Sequence, residues 1–220
     1  MHRLFENPPA STQQILHPDL YLQGVAPAPV DLKPVTQAVP RAWKKLDENV
    51  LGEFGLGEVL KQFLGAGRAD QLSPSWLGDR YAIYQRESAA QTLLVIRLKL
   101  SDEPAAARFF GGYRQLLEKK YEKRTAESRR QSFFSFNVTE GGIFLRCYQA
   151  ECLIAEGATG EIFAEMTKAL HWPEAPAATP ESDEPGVTVR NSVAPSVMAA
   201  SLVNSRQQPH PPEPIAARMH

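Results

Sequence analysis

Proline is nearly absent from the middle of this 220-residue chain. Residues 41–171 contain only Pro74 and Pro104, although the whole chain has 18 prolines. Proline removes a backbone donor and fixes φ, so a long stretch without it can form continuous helices and strands. The distribution therefore predicts a folded domain at 41–171, a Pro-rich wrapping segment at 1–40 and a Pro-rich tail at 172–220.

Net charge and long apolar runs are also lacking. The 24 basic side chains nearly balance the 25 acidic ones, and 43% of the residues are hydrophobic. No overall field therefore draws the chain to nucleic acid, and no stretch reaches the roughly 20 apolar residues of a membrane helix. The first residues also lack the apolar core of a signal peptide. We expect no nucleic-acid partner, no membrane contact from this chain itself, and a cytoplasmic location if Met1 is the true start.

The histidine spacing of a common zinc peptidase is missing as well. Such a site needs two histidines one helical turn apart and a glutamate base. Neither a Gly-x-Ser-x-Gly nucleophile motif nor a phosphate-binding glycine loop is present. We therefore predict no catalytic residue, no metal ligand and no cofactor in this chain, and whether a longer protein is an enzyme stays open. The five histidines are His2, His17, His171, His210 and His220.

Apolar periodicity in the middle of the chain predicts an α+β fold. We expect an antiparallel sheet of about five strands with helices packed on one face, an extended N-terminal segment and a disordered C-terminal tail. A short edge strand at Val187–Val189 is the alternative for part of the tail. The predicted helices span 49–64, a stretch capped by Ser101 or Asp102, and 161–170; the predicted strands span 80–84, 92–100, 133–138, 143–148 and 152–155.

The two cysteines flank a predicted turn at Gln149–Ala150. A two-residue turn there would place Cys147 and Cys152 opposite each other on neighbouring strands, where a disulfide is conceivable. The alternative is a pair of buried thiols that pack as small hydrophobes, and we favour it slightly. If the complete protein is exported, oxidation of the pair is expected.

Several polar residues have both a functional and a structural interpretation. His17 precedes a proline, and a hydrogen bond that fixes the turn is favoured over a catalytic role. Glu53 and Glu58 could act as acid, base or ligand on the first long helix, but solvated glutamates are expected there. The basic cluster at 119–130 is interpreted as the solvated end of a helix rather than as a phosphate-binding surface.

Residues 7–21 carry a pattern too specific to be a generic linker. They resemble the pattern Pro-Pro-x-Ser-Thr-Glu-Gln-x-Leu-His-Pro-x-x-Tyr, with Gln13 in place of the usual Glu. This pattern occurs in a family of uncharacterised bacterial and archaeal surface proteins and lipoproteins, which pairs a zinc-metallopeptidase-like helical half with a C-terminal α+β half. Residues 51–56 and 76–81 look like two further motifs of that family. The matching positions of the first motif are Pro8, Pro9, Ser11, Thr12, Gln14, Leu16, His17, Pro18 and Tyr21.

The resemblance implies that this chain is the noncatalytic C-terminal portion of a metallopeptidase-like protein. The metal ligands of such a protein would lie upstream in a His-Glu-x-x-His-like helix, so none is carried over to this chain. An upstream metallopeptidase-like domain is then the expected partner, and the location is extracytoplasmic if the longer protein is exported. The alternative is a free-standing α+β module that binds a ligand or a protein.

The first motif also has a physical interpretation as a wrapping loop. Its prolines stiffen an extended path, and Ser11 or Thr12 can cap a short turn through Gln14. Ile15, Leu16 and Leu20 supply apolar anchors for a neighbouring surface. In the third motif, Asp79 and Arg80 are expected to pair and to lock a helix-to-strand junction.

Overall fold

The computed structural model describes residues 6–86 and 91–174. Within them the chain has an α+β fold, as predicted. The predicted tail lies outside the described residues from 175 onward, and so does the alternative strand at Val187–Val189. The elements in chain order are α1 (Thr12–Leu16), α2 (Pro18–Leu22), α3 (Lys33–Gln37), β1 (Trp43–Asn49), α4 (Gly52–Leu64), α5 (Ala66–Leu72), a 3₁₀ turn (Ser73–Ser75), β2 (Trp76–Arg86), β3 (Thr92–Leu100), α6 (Glu103–Lys120), β4 (Thr125–Arg130), β5 (Phe133–Val138), β6 (Gly141–Tyr148), β7 (Glu151–Ala158) and α7 (Gly160–Ala169).

The strands form one antiparallel sheet in the order β1-β2-β3-β7-β6-β5-β4. The two halves of the sheet, β1 to β3 and β4 to β7, meet where β3 pairs with β7. Short connections join β4 to β7, whereas α4 and α5 lie between β1 and β2. The expected number of about five strands is too low, because the sheet of the described residues has seven. The two strands that the sequence did not predict, β1 and β4, are the edges of the sheet.

Helices cover both faces of the sheet, so the prediction of helices on one face is wrong. On one face, α4, α5 and α6 enclose a core that includes Phe109 and Tyr113. On the other face, α3 and α7 bury Leu32, Val35 and Met166. The physical reason lies in the central strands β3, β6 and β7, which are apolar on both sides and must be covered on both.

The N-terminal segment is part of this folded unit rather than an extended wrapping. Three one-turn helices, α1 to α3, interrupt the predicted extended path. The predicted cap of the first one is confirmed, because the Ser11 side chain accepts a hydrogen bond from the Gln14 N–H. Since Leu32 and Val35 belong to the core under α3, residues 1–40 cannot be removed without opening that core.

The long helix α6 begins as the sequence predicts. The Asp102 side chain accepts a hydrogen bond from the Ala105 N–H at 2.6 Å, and proline occupies the first turn. At the other end, Lys120 does not lie in solvent as expected for the basic cluster. Its Nζ lies 2.5 Å from Oε2 of Glu156, and both side chains are only 3% exposed. The Tyr121 hydroxyl donates to the same carboxylate oxygen at 2.6 Å, which makes this a buried polar network.

Other members of the basic cluster also bind within the chain. Lys119 donates to the Phe63 carbonyl at 3.1 Å, and the Arg129 guanidinium lies 3.1 Å from a carboxylate oxygen of Glu118. Arg124 donates to the Glu118 carbonyl at 2.6 Å. These contacts hold the end of α6 against its surroundings, so the cluster has a structural use that its sequence pattern did not indicate.

The β6–β7 hairpin turns at Gln149–Ala150, as predicted. Gln149 has a φ of 52°, and Cys147 pairs directly with Cys152 across the strands. The two residues form a disulfide, with their Cα atoms 4.0 Å apart. The favoured interpretation as two free thiols is therefore wrong. Both cysteines are buried in the core under α6, so the bond fixes the register of this hairpin inside the fold.

Candidate functional site at the N-terminal corner

The three motif segments of the sequence analysis meet at one corner of the molecule. Gln13 donates through Nε2 to the carbonyl of Trp76 at 2.7 Å, which joins the first segment to the start of β2. The Thr12 hydroxyl accepts from the Phe54 N–H at 3.3 Å, which joins the first segment to α4. Residues up to 63 positions apart in the chain are therefore bonded to each other in one contiguous structure.

The N-terminal segment turns polar side chains inward and apolar ones outward. Gln13 and Gln14 are buried, and Gln14 donates through Nε2 to the Val25 carbonyl at 2.6 Å. The adjacent Ile15 is 64% exposed, and Leu16 is exposed as well. Two of the three predicted anchors, Ile15 and Leu16, thus do not pack on this domain, whereas Leu20 is half-buried. The two amide side chains hold the segment instead. The pattern of polar and apolar residues in the sequence does not predict that Gln13 and Gln14 are buried, because their burial depends on which backbone carbonyls lie within hydrogen-bond distance.

Asp79 is the buried centre of the corner. Its Oδ2 accepts from the Leu51 N–H at 2.8 Å, and its Oδ1 accepts from the Gly52 N–H at 2.9 Å. The indole Nε1–H of Trp76 donates to the same Oδ1 at 2.8 Å. The first N–H groups of a helix have no partner within the helix, so this carboxylate caps α4 from a distant strand. The corner is therefore built around a structural carboxylate.

Asp79 does not pair with Arg80, which corrects the expected locking pair. The Arg80 guanidinium instead lies 3.1 Å from a carboxylate oxygen of Glu48 on β1. Burial raises the pKa of the Asp79 carboxyl above its ordinary value, although its three N–H donors act in the opposite direction. Because this carboxylate already holds the start of α4, a proton-transfer role for it would compete with the cap.

His17 and Glu53 form the second polar link of the corner. His17 Nε2 lies 2.8 Å from Glu53 Oε1, which connects the α1–α2 junction to α4, whereas the sequence predicted a hydrogen bond that fixes the turn before Pro18. Glu53 is buried, against the expectation of a solvated glutamate, and its Oε2 has no hydrogen-bond partner. Glu58 is exposed as expected and lies 3.5 Å from the ammonium of Lys61.

A cleft of about 370 Å³ opens between the N-terminal segment and the start of β2. Its walls include Ser11, Pro27, Val50, Trp76 and Arg80. The cleft is lined mainly by backbone and by apolar groups, and its carboxylate is already used as a helix cap. It can accept a short apolar group more readily than it can perform acid–base chemistry.

Exposed apolar side chains concentrate around this corner. Of the nine large hydrophobic residues exposed in the described parts of the chain, eight lie between residues 15 and 77. Leu22 is 74% exposed and Phe54 is 55% exposed. Clustered apolar exposure on a folded domain marks interaction surfaces. We name this surface the apolar corner, and it consists of Ile15, Leu16, Leu22, Val25, Val50 and Phe54.

Within residues 6–86 and 91–174, no three histidine, cysteine, aspartate or glutamate side chains lie close enough to hold a metal ion. Among the same residues, none of the helices combines the length and the apolar character that a bilayer crossing requires.

Comparison with known proteins places the middle of the chain in a family. Residues 39–168 match the model of a family described as a domain of unknown function, DUF8575. No curated protein and no solved structure matches the chain. The matched region includes Glu53 and Asp79, whereas Gln13 and His17 lie before it. Because the match covers more than half of the 220 residues, this chain belongs to the DUF8575 family.

Proposed function

We propose that this chain is a noncatalytic α+β module that binds a partner protein through the apolar corner. The concentration of exposed apolar side chains at one end of the domain carries this proposal. Full burial of a Val, Leu, Ile or Phe side chain gives roughly 1.5–3 kcal/mol. Because the residues of the apolar corner are 41–74% exposed, each keeps roughly half of this free energy unrealised in the isolated chain. A partner that covers several of them gains this energy on binding.

The corner is also rigid enough to present these side chains in a fixed arrangement. The buried links made by Gln13, His17 and Asp79 hold the N-terminal segment and the start of α4 together. Preorganised surfaces bind better because less conformational entropy is lost on association. The polar side chains therefore do structural work inside the corner, and the apolar ones remain available to a partner.

The partner that we propose is a metallopeptidase-like domain. The first motif is the segment that follows the peptidase-like part in the family it resembles, and that motif supplies Ile15 and Leu16 of the apolar corner, with Leu22 directly after it. A protein surface that covers the corner must itself be largely apolar at its centre. The proposal thus joins the sequence resemblance to an exposed apolar surface of the described residues.

Site-specific photo-crosslinking in the native cells tests this proposal. A benzoylphenylalanine placed at Leu22 or at Phe54 is expected to capture the same metallopeptidase-like polypeptide, identified by mass spectrometry. Tyr148, an exposed aromatic residue on β6, provides the matched control position and is expected to give no such adduct. No adduct at Leu22 and Phe54 would overturn the docking surface. Adducts with an unrelated protein would overturn the choice of partner.

A second experiment separates binding from folding. Phe54→Ser is expected to lower the free energy of unfolding by about 1 kcal/mol, because the residue is 55% exposed and only the rest of its burial is lost. The same variant should weaken complex formation with the captured partner by about tenfold or more, as expected for loss of a buried aromatic anchor. Equal affinity of Phe54→Ser and wild type would contradict the proposal.

A further inference from the structure

A second groove lies on the opposite face of the sheet from α6, between α7 and the strands β4 to β6. Its volume is about 850 Å³, and none of its lining residues belongs to the cleft at the N-terminal corner. Strand residues form one wall, and α7 with the residues that follow it forms the other. The groove is therefore independent of the surface proposed for protein binding.

Arg146 on β6 is the unusual residue of this groove. It is only 6% exposed, and its guanidinium lies 5.6 Å from the centre of the Trp172 ring. Nη2 donates to the Pro173 carbonyl, whereas Nε has no hydrogen-bond partner. A guanidinium has five N–H donors, so most of its capacity is unused by the residues that the structure describes.

The charge of Arg146 has no counter-charge within the described residues. Burial alone lowers the pKa of its guanidinium, and no carboxylate acts in the opposite direction. A buried charge without a partner is costly, and buried cations are normally paired. An anion bound beside Arg146 would supply the missing partner and would find free N–H donors.

Aromatic rings line the same groove as this cation. Phe144 and Phe163 stack with their centres 4.7 Å apart and their planes 13° from parallel. The Phe133 ring centre lies 6.2 Å from that of Phe163, and the Arg130 guanidinium lies 5.5 Å from the Phe133 ring. Flat apolar walls with a few polar groups are typical of sites for small organic ligands, and the volume is in the usual range.

The carboxylates near the groove lie at its rim. Glu165 is exposed and lies 3.5 Å from the ammonium of Lys168, so a cation accompanies it. Glu174 is also exposed on the wall. Exposed carboxylates are screened by solvent and salt, whereas the guanidinium of Arg146 is buried. The interior of the groove is therefore positive although its rim is mixed.

We propose that this groove binds a small aromatic carboxylate. The carboxylate of the ligand would accept hydrogen bonds from the free N–H groups of Arg146, and the aromatic ring of the ligand would pack against Phe133 and Phe163. The groove thus selects a ligand with two properties at once, a negative charge and a flat apolar body.

Isothermal titration of the full chain with 2-naphthoate tests both properties. We expect binding with a dissociation constant of about 1 mM or tighter, which corresponds to about −4 kcal/mol. The neutral 2-naphthalenemethanol has the same ring system without the charge and is expected to bind about tenfold more weakly, because a charge-assisted hydrogen bond is lost. Acetate has the charge without the ring and is expected to show no binding in the same range.

Matched variants assign the binding to Arg146. Arg146→Met keeps the length of the side chain and should weaken 2-naphthoate binding by about tenfold or more while leaving the neutral alcohol unaffected. Arg108→Met removes an exposed arginine from α6, on the other face of the sheet, and should bind as wild type does. A thermal unfolding transition establishes that each variant is folded. The proposal is overturned if wild type does not bind 2-naphthoate, or if Arg146→Met binds it equally well.

Discussion

Replacing Asp79 by alanine removes the hydrogen-bond acceptor of three N–H donors in the N-terminal corner. The N–H groups of Leu51 and Gly52 and the indole N–H of Trp76 all donate to this one carboxylate. In Asp79→Ala the donors stay in place, since they belong to α4 and β2, but their acceptor is gone. The start of α4 is then left without a cap in a buried position.

The size of the effect follows from the number of donors. A buried donor left without an acceptor costs about 1–3 kcal/mol, and loss of a helix cap costs about 1 kcal/mol within that sum. The neighbouring cleft is lined by Asp79 and Gly52, so water can reach part of the site and keep each cost near the lower limit. We therefore expect Asp79→Ala to lower the free energy of unfolding by roughly 3 kcal/mol.

Asp79→Asn is the matched comparison. Its remaining oxygen can still accept from Gly52 and Trp76, both of which bind Oδ1, and only the Leu51 bond to Oδ2 is lost. A loss of about 1–2 kcal/mol is expected. Urea unfolding followed by tryptophan fluorescence measures both variants, with the exposed Asp70→Ala as a control that should stay within about 0.5 kcal/mol of wild type. The cap is refuted if Asp79→Ala unfolds like the control, or if the asparagine variant is as unstable as the alanine variant.

Three further predictions concern other buried groups. The pKa of Asp79 is raised in the folded state, so this carboxyl ionises in the unfolded chain first as the pH rises. In urea titrations, the free energy of unfolding of wild type relative to Asp79→Asn should therefore fall from about pH 4 upward. A rise would contradict the direction of the pKa shift. Alkylation of unreduced protein unfolded in urea should label neither Cys147 nor Cys152, and two labelled thiols would contradict the disulfide. Reduction should cost about 2 kcal/mol for so short a loop. Lys120→Met should lower the free energy of unfolding by about 3–5 kcal/mol in the same assay, because it leaves the buried charge of Glu156 without its partner. Adding Glu156→Gln should restore part of this free energy. If it restores none, the unpaired charge of Glu156 is not the cause of the instability.

The sequence predicted those elements whose own apolar pattern is strong. The strands Thr92–Leu100 and Phe133–Val138 are found where alternation and apolar content indicated them, and α6 begins at its predicted cap. In such elements the apolar pattern of the element's own residues shows which side chains are buried, so this pattern is sufficient to predict the element. The edge strands Trp43–Asn49 and Thr125–Arg130 were missed for the opposite reason. They are charged and largely exposed, and the neighbouring strand determines their conformation.

The candidate sites were predictable only in part. The motif segments were recognised as unusual, but nothing in the letters shows that Gln13 turns inward and Ile15 outward. Glu53 was expected in solvent because most glutamates are, and only the position of His17 explains its burial. Arg146 gave no signal at all, since an arginine in an apolar strand can point to either a partner or solvent. Whether a polar side chain is buried depends on the tertiary fold. The sequence contains the hydrogen-bond partners of such a side chain but does not show which residues they are.

The order of the strands has a consequence for how the chain folds. Strands β4 to β7 are joined to one another by short connections, and so are β2 and β3, whereas the partners across the β3–β7 seam, from Leu94 with Glu156 to Lys99 with Glu151, are at least 52 residues apart. Closing the seam loop costs more entropy than closing those short connections, so the units with short connections can form early and join at the seam late. The Cys147–Cys152 bond lies beside the seam and holds β7 in register before β3 arrives. Native-state hydrogen exchange should therefore show the two halves opening as separate cooperative units, with the seam as the boundary between them.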